Sequence, residues 1–265
     1  TKSMNLPTVT LLEAGHCHHP EHVVHRNGIL RPFRFPALCA LIEHPTQGPI
    51  LYDTGYSTRF FEATRRFPER IYSWVTPVTL PIGASVADQL ATRDINPNDV
   101  RWVLASHFHA DHIAGLADFP RARYGFFASA WAEVRGRRGF GAVRCGFLPS
   151  LIPDDFEARA CAFGPADLRA APSMLHPIRR GVDLFGDGTI WLVPLPGHAL
   201  GQMGMYVTAT NGAWLMVADA CWTREGWQEQ RLPHPITRLL FADWSEYRAT
   251  LGSIATIALK QPEVA

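Results

Sequence analysis

Strands dominate the early part of this 265-residue chain and strand–loop–helix units follow. That mixed order predicts an α/β or α+β sandwich with its chemistry on loops at strand ends. Hydrophobic residues make up 47% and charged residues 18%, a mix that supports a packed core and argues against a disordered chain. The 21 prolines and 21 glycines are spread throughout and cut the sequence into short elements. No internal repeat or low-complexity run interrupts the pattern.

Thr8–Leu12, Ala37–Glu43 and Ile50–Tyr52 are β-rich, end at turn-formers and read as strands. The GHCHHPEHVVH segment after the first of them holds His16, His18, His19, His22 and His25, and reads as a loop with adventitious metal affinity. Ser57–Arg66 reads as a helix. The aromatic-rich stretch from Thr58 to Ile82 contains Phe60, Phe61, Phe67, Tyr72 and Trp74. Ordinary core packing and an apolar lid that grips an acyl chain both fit it. Val86–Arg93 reads as a helix, and Val100–Ala105 as a short apolar strand that stops at a polar loop. Arg135, Arg137, Arg138 and Arg144 cluster in WAEVRGRRGFGAVRCGF. That cluster is either a solvated, glycine-loosened segment or an anion-binding lid over the substrate entrance. Residues 131–180 as a whole are expected to form an insertion or lid. Pro165–Ala170 and Ser245–Leu259 read as helices, Ile190–Leu195 and Trp214–Ala218 as strands.

With 25 basic and 24 acidic residues the formal charge is +1, which gives no reason to expect nucleic acid as a partner. No stretch reaches the roughly 18 apolar residues of a membrane span. The first twenty residues lack the basic flank and apolar core of an export signal. Five scattered cysteines without a CxxC pair argue against a disulfide framework. A cytoplasmic location is the expectation that follows, with a homodimer left open.

The histidines are more informative. SHFHADH, Ser106 to His112, places His107, His109, Asp111 and His112 directly after the apolar run VRWVLA. Imidazole and carboxylate are natural ligands for zinc and its first-row neighbours. Four such side chains in six residues crowd one tetrahedral ion but divide readily between two. LVPLPGHALGQMG sets His198, and AWLMVADACW sets Asp219, at further strand ends. A carboxylate such as Asp219 can bridge two cations, which a neutral imidazole cannot.

HxHxDH, then PGH, then a strand-terminal Asp, together with ILYDTG at Ile50–Gly55, resembles the metallo-β-lactamase superfamily from about residue 38 to 222. The resemblance implies a single domain over 1–265 with an αββα four-layer sandwich and metals at one edge. It implies that His107, His109 and His198 hold a first divalent ion, Asp111 and His112 a second, and that Asp219 bridges. Zinc is the expected metal, with manganese or iron acceptable at the second, oxygen-richer set. Asp53 matches a position that supports the site loop from behind. The family usually adds a late-strand histidine to the second set. None precedes LKQPEVA, and His234 in RLPHPITR arrives too early. Either the strand that carries it lies beyond Ala265 or the second set binds its ion weakly.

Within the superfamily the chain is most similar to the N-acyl-homoserine-lactone lactonases, VADACWTREGWQ being similar to their segment after the bridging Asp. Those enzymes commonly carry Tyr where Trp222 stands. An indole N–H donates a hydrogen bond but does not give up its proton. The resemblance therefore implies a metallo-hydrolase with a bridging hydroxide, Asp111 handling the proton and Trp222 facing the oxyanion. The expected substrate is a small ester or lactone with an apolar acyl part. A thioesterase acting on acyl-CoA or carrier-bound acyl groups and a low-turnover binding protein on the same scaffold stay open.

Overall fold

The computed structural model describes residues 6–24 and 28–261. Seven strands make one sheet: β1 (Thr8–Pro20), β2 (Pro32–His44), β3 (Gly48–Tyr52), β4 (Val78–Thr79), β5 (Trp102–Leu104), β6 (Arg123–Phe127) and β7 (Ala160–Phe163). Their spatial order is β4-β1-β2-β3-β5-β6-β7. β1 to β3 run as an antiparallel meander, and β3, β5, β6 and β7 pair in parallel. The second sheet holds β8 (Arg169–Ala170), β9 (Arg180–Asp183), β10 (Ile190–Pro194), β11 (Met203–Ala209) and β12 (Gly212–Met216), all antiparallel and in order. The helices are α1 (Glu21–Val24), α2 (Thr58–Ala63), α3 (Arg70–Val75), α4 (Val86–Ala91), α5 (Ala110–Ile113), α6 (Ala128–Val134), α7 (Gly139–Val143), α8 (Phe156–Arg159), α9 (Arg224–Gln228) and α10 (Trp244–Lys260).

Strand register fixes the layers. Leu41, Leu51 and Val103 lie in one cross-strand row, and Ala40, Tyr52 and Leu104 in the next, so they face opposite sides. The first row packs under the helices against Phe60, Leu90, Ile113 and Phe156. The second packs between the sheets against Ile190, Leu192, Met203 and Met205. On the far side of the second sheet, Trp191, Val193 and Tyr206 meet Ile254 of α10. The result is helix, sheet, sheet, helix, the αββα sandwich expected. Each fully buried large apolar side chain contributes about 1.5–3 kcal/mol.

Several elements differ from the sequence reading. The His-rich GHCHHP is not a loop but the second half of β1. Gly15, at φ +78, allows a bulge between Glu13 and His16, beyond which pairing with β2 resumes. α1 follows at once, and His25 lies outside the described residues. Pro165–Ala170 is not a helix. Asp167 closes a single turn by accepting from Gly164 N at 2.7 Å, and Arg169–Ala170 then pairs with β9. Ala218 belongs to a short turn, so the strand expected over Trp214–Ala218 runs instead from Gly212 to Met216. The sequence reading contains no strand at β4, β6, β7, β9 or β11. Within 131–180, residues 160–163 and 169–170 are strands of the two sheets.

The aromatic stretch divides. Phe60 and Tyr72 are buried in the core, while Phe61, Phe67 and Trp74 are exposed. No helix among the described residues is long and apolar enough to cross a membrane.

Candidate metal centre

Three loops at one edge of the sandwich, those following β5, β10 and β12, carry the candidate ligands, and the loop following β3 carries Asp53 behind them. The β5 loop is pinned on both sides. Met203 N donates to Ser106 O at 2.8 Å and Ala110 N to Gly146 O at 3.0 Å. Gly146 has φ +64, and a Cβ there would stand 2.6 Å from His109 Cδ2. Only glycine lets this backbone lie against the imidazole.

Asp53 is buried at φ +59, with its N–H donating to Leu104 O at 2.9 Å. Its Oδ1 accepts from Ser106 N at 2.7 Å and its Oδ2 from Ser106 Oγ at 2.8 Å. His112 Nδ1 lies 2.7 Å from Oδ2. A carboxylate only accepts, so His112 carries its proton on Nδ1 and turns Nε2 into the site. Ser106 Oγ has spent its one proton on Asp53. His107 Nδ1, 3.0 Å away, must donate to it, which leaves His107 Nε2 as a bare lone pair. Ser106 was not singled out in the sequence; the only sign was its place at the head of SHFHADH.

The ligand atoms converge in two sets that share Asp219. His107, His109, His198 and Asp219 each offer an atom within 4.8 Å of the others, and so do Asp111, His112 and Asp219. His198 Nε2 stands 3.0 Å from His109 Nδ1 and 3.2 Å from Asp219 Oδ2, with His107 Nε2 at 4.0 Å from the same oxygen. The other oxygen, Asp219 Oδ1, is 3.5 Å from His112 Nε2, which is 3.6 Å from Asp111 Oδ2. All six candidates are thus brought together, one Asp219 oxygen turned to each set. His234 is elsewhere, capping a turn and meeting His22 at 6.2 Å between ring centroids.

The donors fit divalent cations. His107 Nε2 and His112 Nε2 are buried without a hydrogen-bond partner. Burial, reinforced by neighbouring imidazoles, holds His107 and His109 well below the usual histidine range, so both are in the neutral, ligating form. Burial opposes charge on His112, yet Asp111, Asp53 and Asp219 outweigh it and hold its pKa well above the usual value. Three carboxylates around one imidazole demand positive charge, and a cation beside Nε2 meets that demand.

Trp222 stands beside the first set, its ring 5.8 Å from His198, 5.2 Å from Phe241 and 6.0 Å from Phe35. α10 secures the His198 loop. Asp243 N donates to Gly197 O at 2.9 Å, Ala242 N to His198 O at 3.1 Å, and Thr250 Oγ1 to Pro196 O at 2.7 Å. Of the four clustered arginines, Arg135 pairs with Glu157 at 3.0 Å and Arg137 with Glu133 at 2.5 Å.

Known proteins resemble this chain over most of its length. The N-acyl homoserine lactonase AttM of Azorhizobium caulinodans is 28% identical over 214 residues, spanning 76% of this chain and 71% of that protein. A probable metallo-hydrolase of Mycobacterium tuberculosis is 29% identical over 212 residues, 77% of this chain and 64% of that protein. Among solved structures, an N-acyl homoserine lactone hydrolase with N-hexanoyl-L-homoserine at its catalytic metal centre has a TM-score of 0.74 at 16% identity. It covers 98% of this chain and 92% of its own. AidC, a dizinc quorum-quenching lactonase, has a TM-score of 0.62 at 14% identity, covering 96% and 83%. At such identities these two likenesses concern the fold. The family signature of the Metallo-beta-lactamase superfamily runs through residues 32–258, from β2 into α10 and across every loop of the centre. The chain belongs to the metallo-beta-lactamase superfamily.

Proposed function

We propose that the chain is a metallo-hydrolase that opens lactones with an apolar acyl part, of the N-acyl-homoserine-lactone kind. The observation that carries this reading is Asp219, whose two oxygens face His198 at 3.2 Å and His112 at 3.5 Å. His107, His109 and His198 would hold one divalent ion, Asp111 and His112 the other, and Asp219 both. Zinc suits the nitrogen-rich set, and zinc, manganese or iron the oxygen-rich one. Bound there, the ions would supply a water acidified to a pKa of about 7 and a polarised carbonyl.

The chain's own residues do the rest. Asp111 Oδ2 orients the water and passes its proton to the ring oxygen as the C–O bond breaks. Trp222 Nε1–H donates to the oxygen that gains charge. Similarity to curated lactonases supports the substrate class, and the exposed Phe61, Phe67 and Trp74 supply apolar surface for an acyl chain.

The test is hydrolysis of N-hexanoyl-homoserine lactone by metal-replete protein, followed as acid release. Asp111→Asn, folded and metal-loaded, should lose most of its kcat. Unchanged kcat would remove the proton role. Tight retention of lactone without turnover would make the protein a binder.

A further inference from the structure

A cleft of about 580 Å³ opens between α2, the turn after it and the segment around α7. Arg59, Arg65, Arg66 and Arg138 line it, with Glu62, Glu69 and Ser150. Arg59 is engaged, its Nε 3.2 Å from Asp118 Oδ1. Arg65, Arg66 and Arg138 have no ion-pair partner among the described residues, although two carboxylates share the lining. Four arginines against two glutamates give this lining two surplus positive charges, one of which Asp118 offsets through Arg59. Gathered guanidiniums repel one another unless an anion sits among them, and their planar forks match phosphate oxygens two at a time.

The cleft is also near the metal centre. Pro149 lines it and is three residues from Gly146, which lies against His109. Three residues span at most about 11 Å. An acyl group at the centre and a charged group in the cleft are therefore within reach of one extended molecule.

We propose that this cleft is a binding site for a small molecule carrying two or more phosphate groups. Two sources supply that chemistry: the phosphorylated carrier end of an acyl thioester substrate, or a free nucleotide-like effector. The first source rests on the hydrolase reading of the centre; the site itself does not. Of the arginine-rich segment, Arg138 takes part, whereas Arg135 and Arg137 are engaged by Glu157 and Glu133.

The probe is adenosine 3′,5′-bisphosphate, titrated calorimetrically into the metal-loaded protein at low salt. Saturable binding at one equivalent per chain is expected. It should weaken at least tenfold in the Arg65→Gln/Arg138→Gln double variant, and strengthen in Glu62→Gln/Glu69→Gln. It should fall steeply as salt rises through about 0.1 M, where the screening length is near 10 Å. Lactone hydrolysis by the double variant should equal that of the parent, which shows that the centre is intact. Absence of saturable binding to the parent, or equal affinity in the double variant, overturns the proposal.

Acyl thioesters of phosphorylated and of unphosphorylated carriers separate the sources. A lower KM for the phosphorylated form that disappears in the double variant identifies the substrate's own tail. Equal KM values alongside arginine-dependent binding identify a free ligand. Failure of all hydrolysis with binding intact would discard the enzyme reading and keep the site.

Discussion

Asp53 and His112 form a buried pair, Oδ2 to Nδ1 at 2.7 Å, that decides which nitrogen of His112 faces the centre. Asp53→Asn keeps the size and tolerates the φ of +59, but removes the charge. Losing such an outer partner typically costs 10–100-fold in metal affinity. The expected outcome is a second equivalent of metal that competes poorly with a chelator while the first is retained. Elemental analysis after dialysis reads this directly, and two tightly held ions would refute it.

Metal removal should be felt in the fold as well as in turnover. The centre holds neutral His107 and His109 beside carboxylates, with His107 Nε2 unpartnered. Chelation should lower the thermal midpoint by several degrees, and added zinc should restore it, since a ligand that binds only the native state stabilises it. A midpoint indifferent to metal would mean that these side chains hold no ion.

Gly146→Ala puts a methyl group 2.6 Å from His109 Cδ2 at φ +64. The backbone strain alone is roughly 1–2 kcal/mol. Expected results are a lower urea midpoint and weaker binding at the set containing His109. A variant as stable as the parent would show that α7 and its loop can shift without cost.

Phe60 is fully buried and Phe67 is 62% exposed, though both lie in one aromatic stretch. Phe60→Ala should cost about 3–5 kcal/mol of stability. Phe67→Ala should leave stability within about 0.5 kcal/mol and raise KM for long-chain lactones more than for short ones. Equal KM effects across chain lengths would detach Phe67 from the acyl chain.

His44, at the opposite end of β2 from the centre, is buried, and burial holds its pKa below 6.5 despite Asp187 Oδ2 at 3.6 Å. A histidine with a folded pKa below its unfolded value favours folding when neutral. That stability is complete above pH 6.5 and is lost as pH falls through 6.5 towards the folded value. Urea midpoints at about pH 7.5 and pH 5.5 should differ less in His44→Gln than in the parent. An identical pH slope in both would assign the effect to other groups.

The six candidate ligands were legible because three apolar strands lead into chemically costly residues, and His107 through His112 crowd into one short segment. Short apolar runs ending at turn-formers likewise announced β3 and β10. The rest depends on contacts far apart in sequence. β11 is buried along most of its length and carries no alternation, and β8 exists only through its pairing with β9. The β1 extension was hidden by its histidines, which suggest chemistry or a loop rather than a bulged strand paired with residues 32–36. Ser106 and Gly146 act through neighbours that are distant or cryptic in the sequence, so nothing local marks them. The arginines of the cleft come from two segments some seventy residues apart, which composition cannot bring together.

The clamp of α10 on the His198 loop has a consequence for biosynthesis. The last side chain of the six is Asp219, yet Gly197 and His198 are tied down by Ala242, Asp243 and Thr250. A nascent chain whose ligands have all left the ribosome still presents His198 on an unfastened loop. The loop that carries His198 is therefore fastened only once residues as far as Thr250 are in place, after the last of the six candidate ligands.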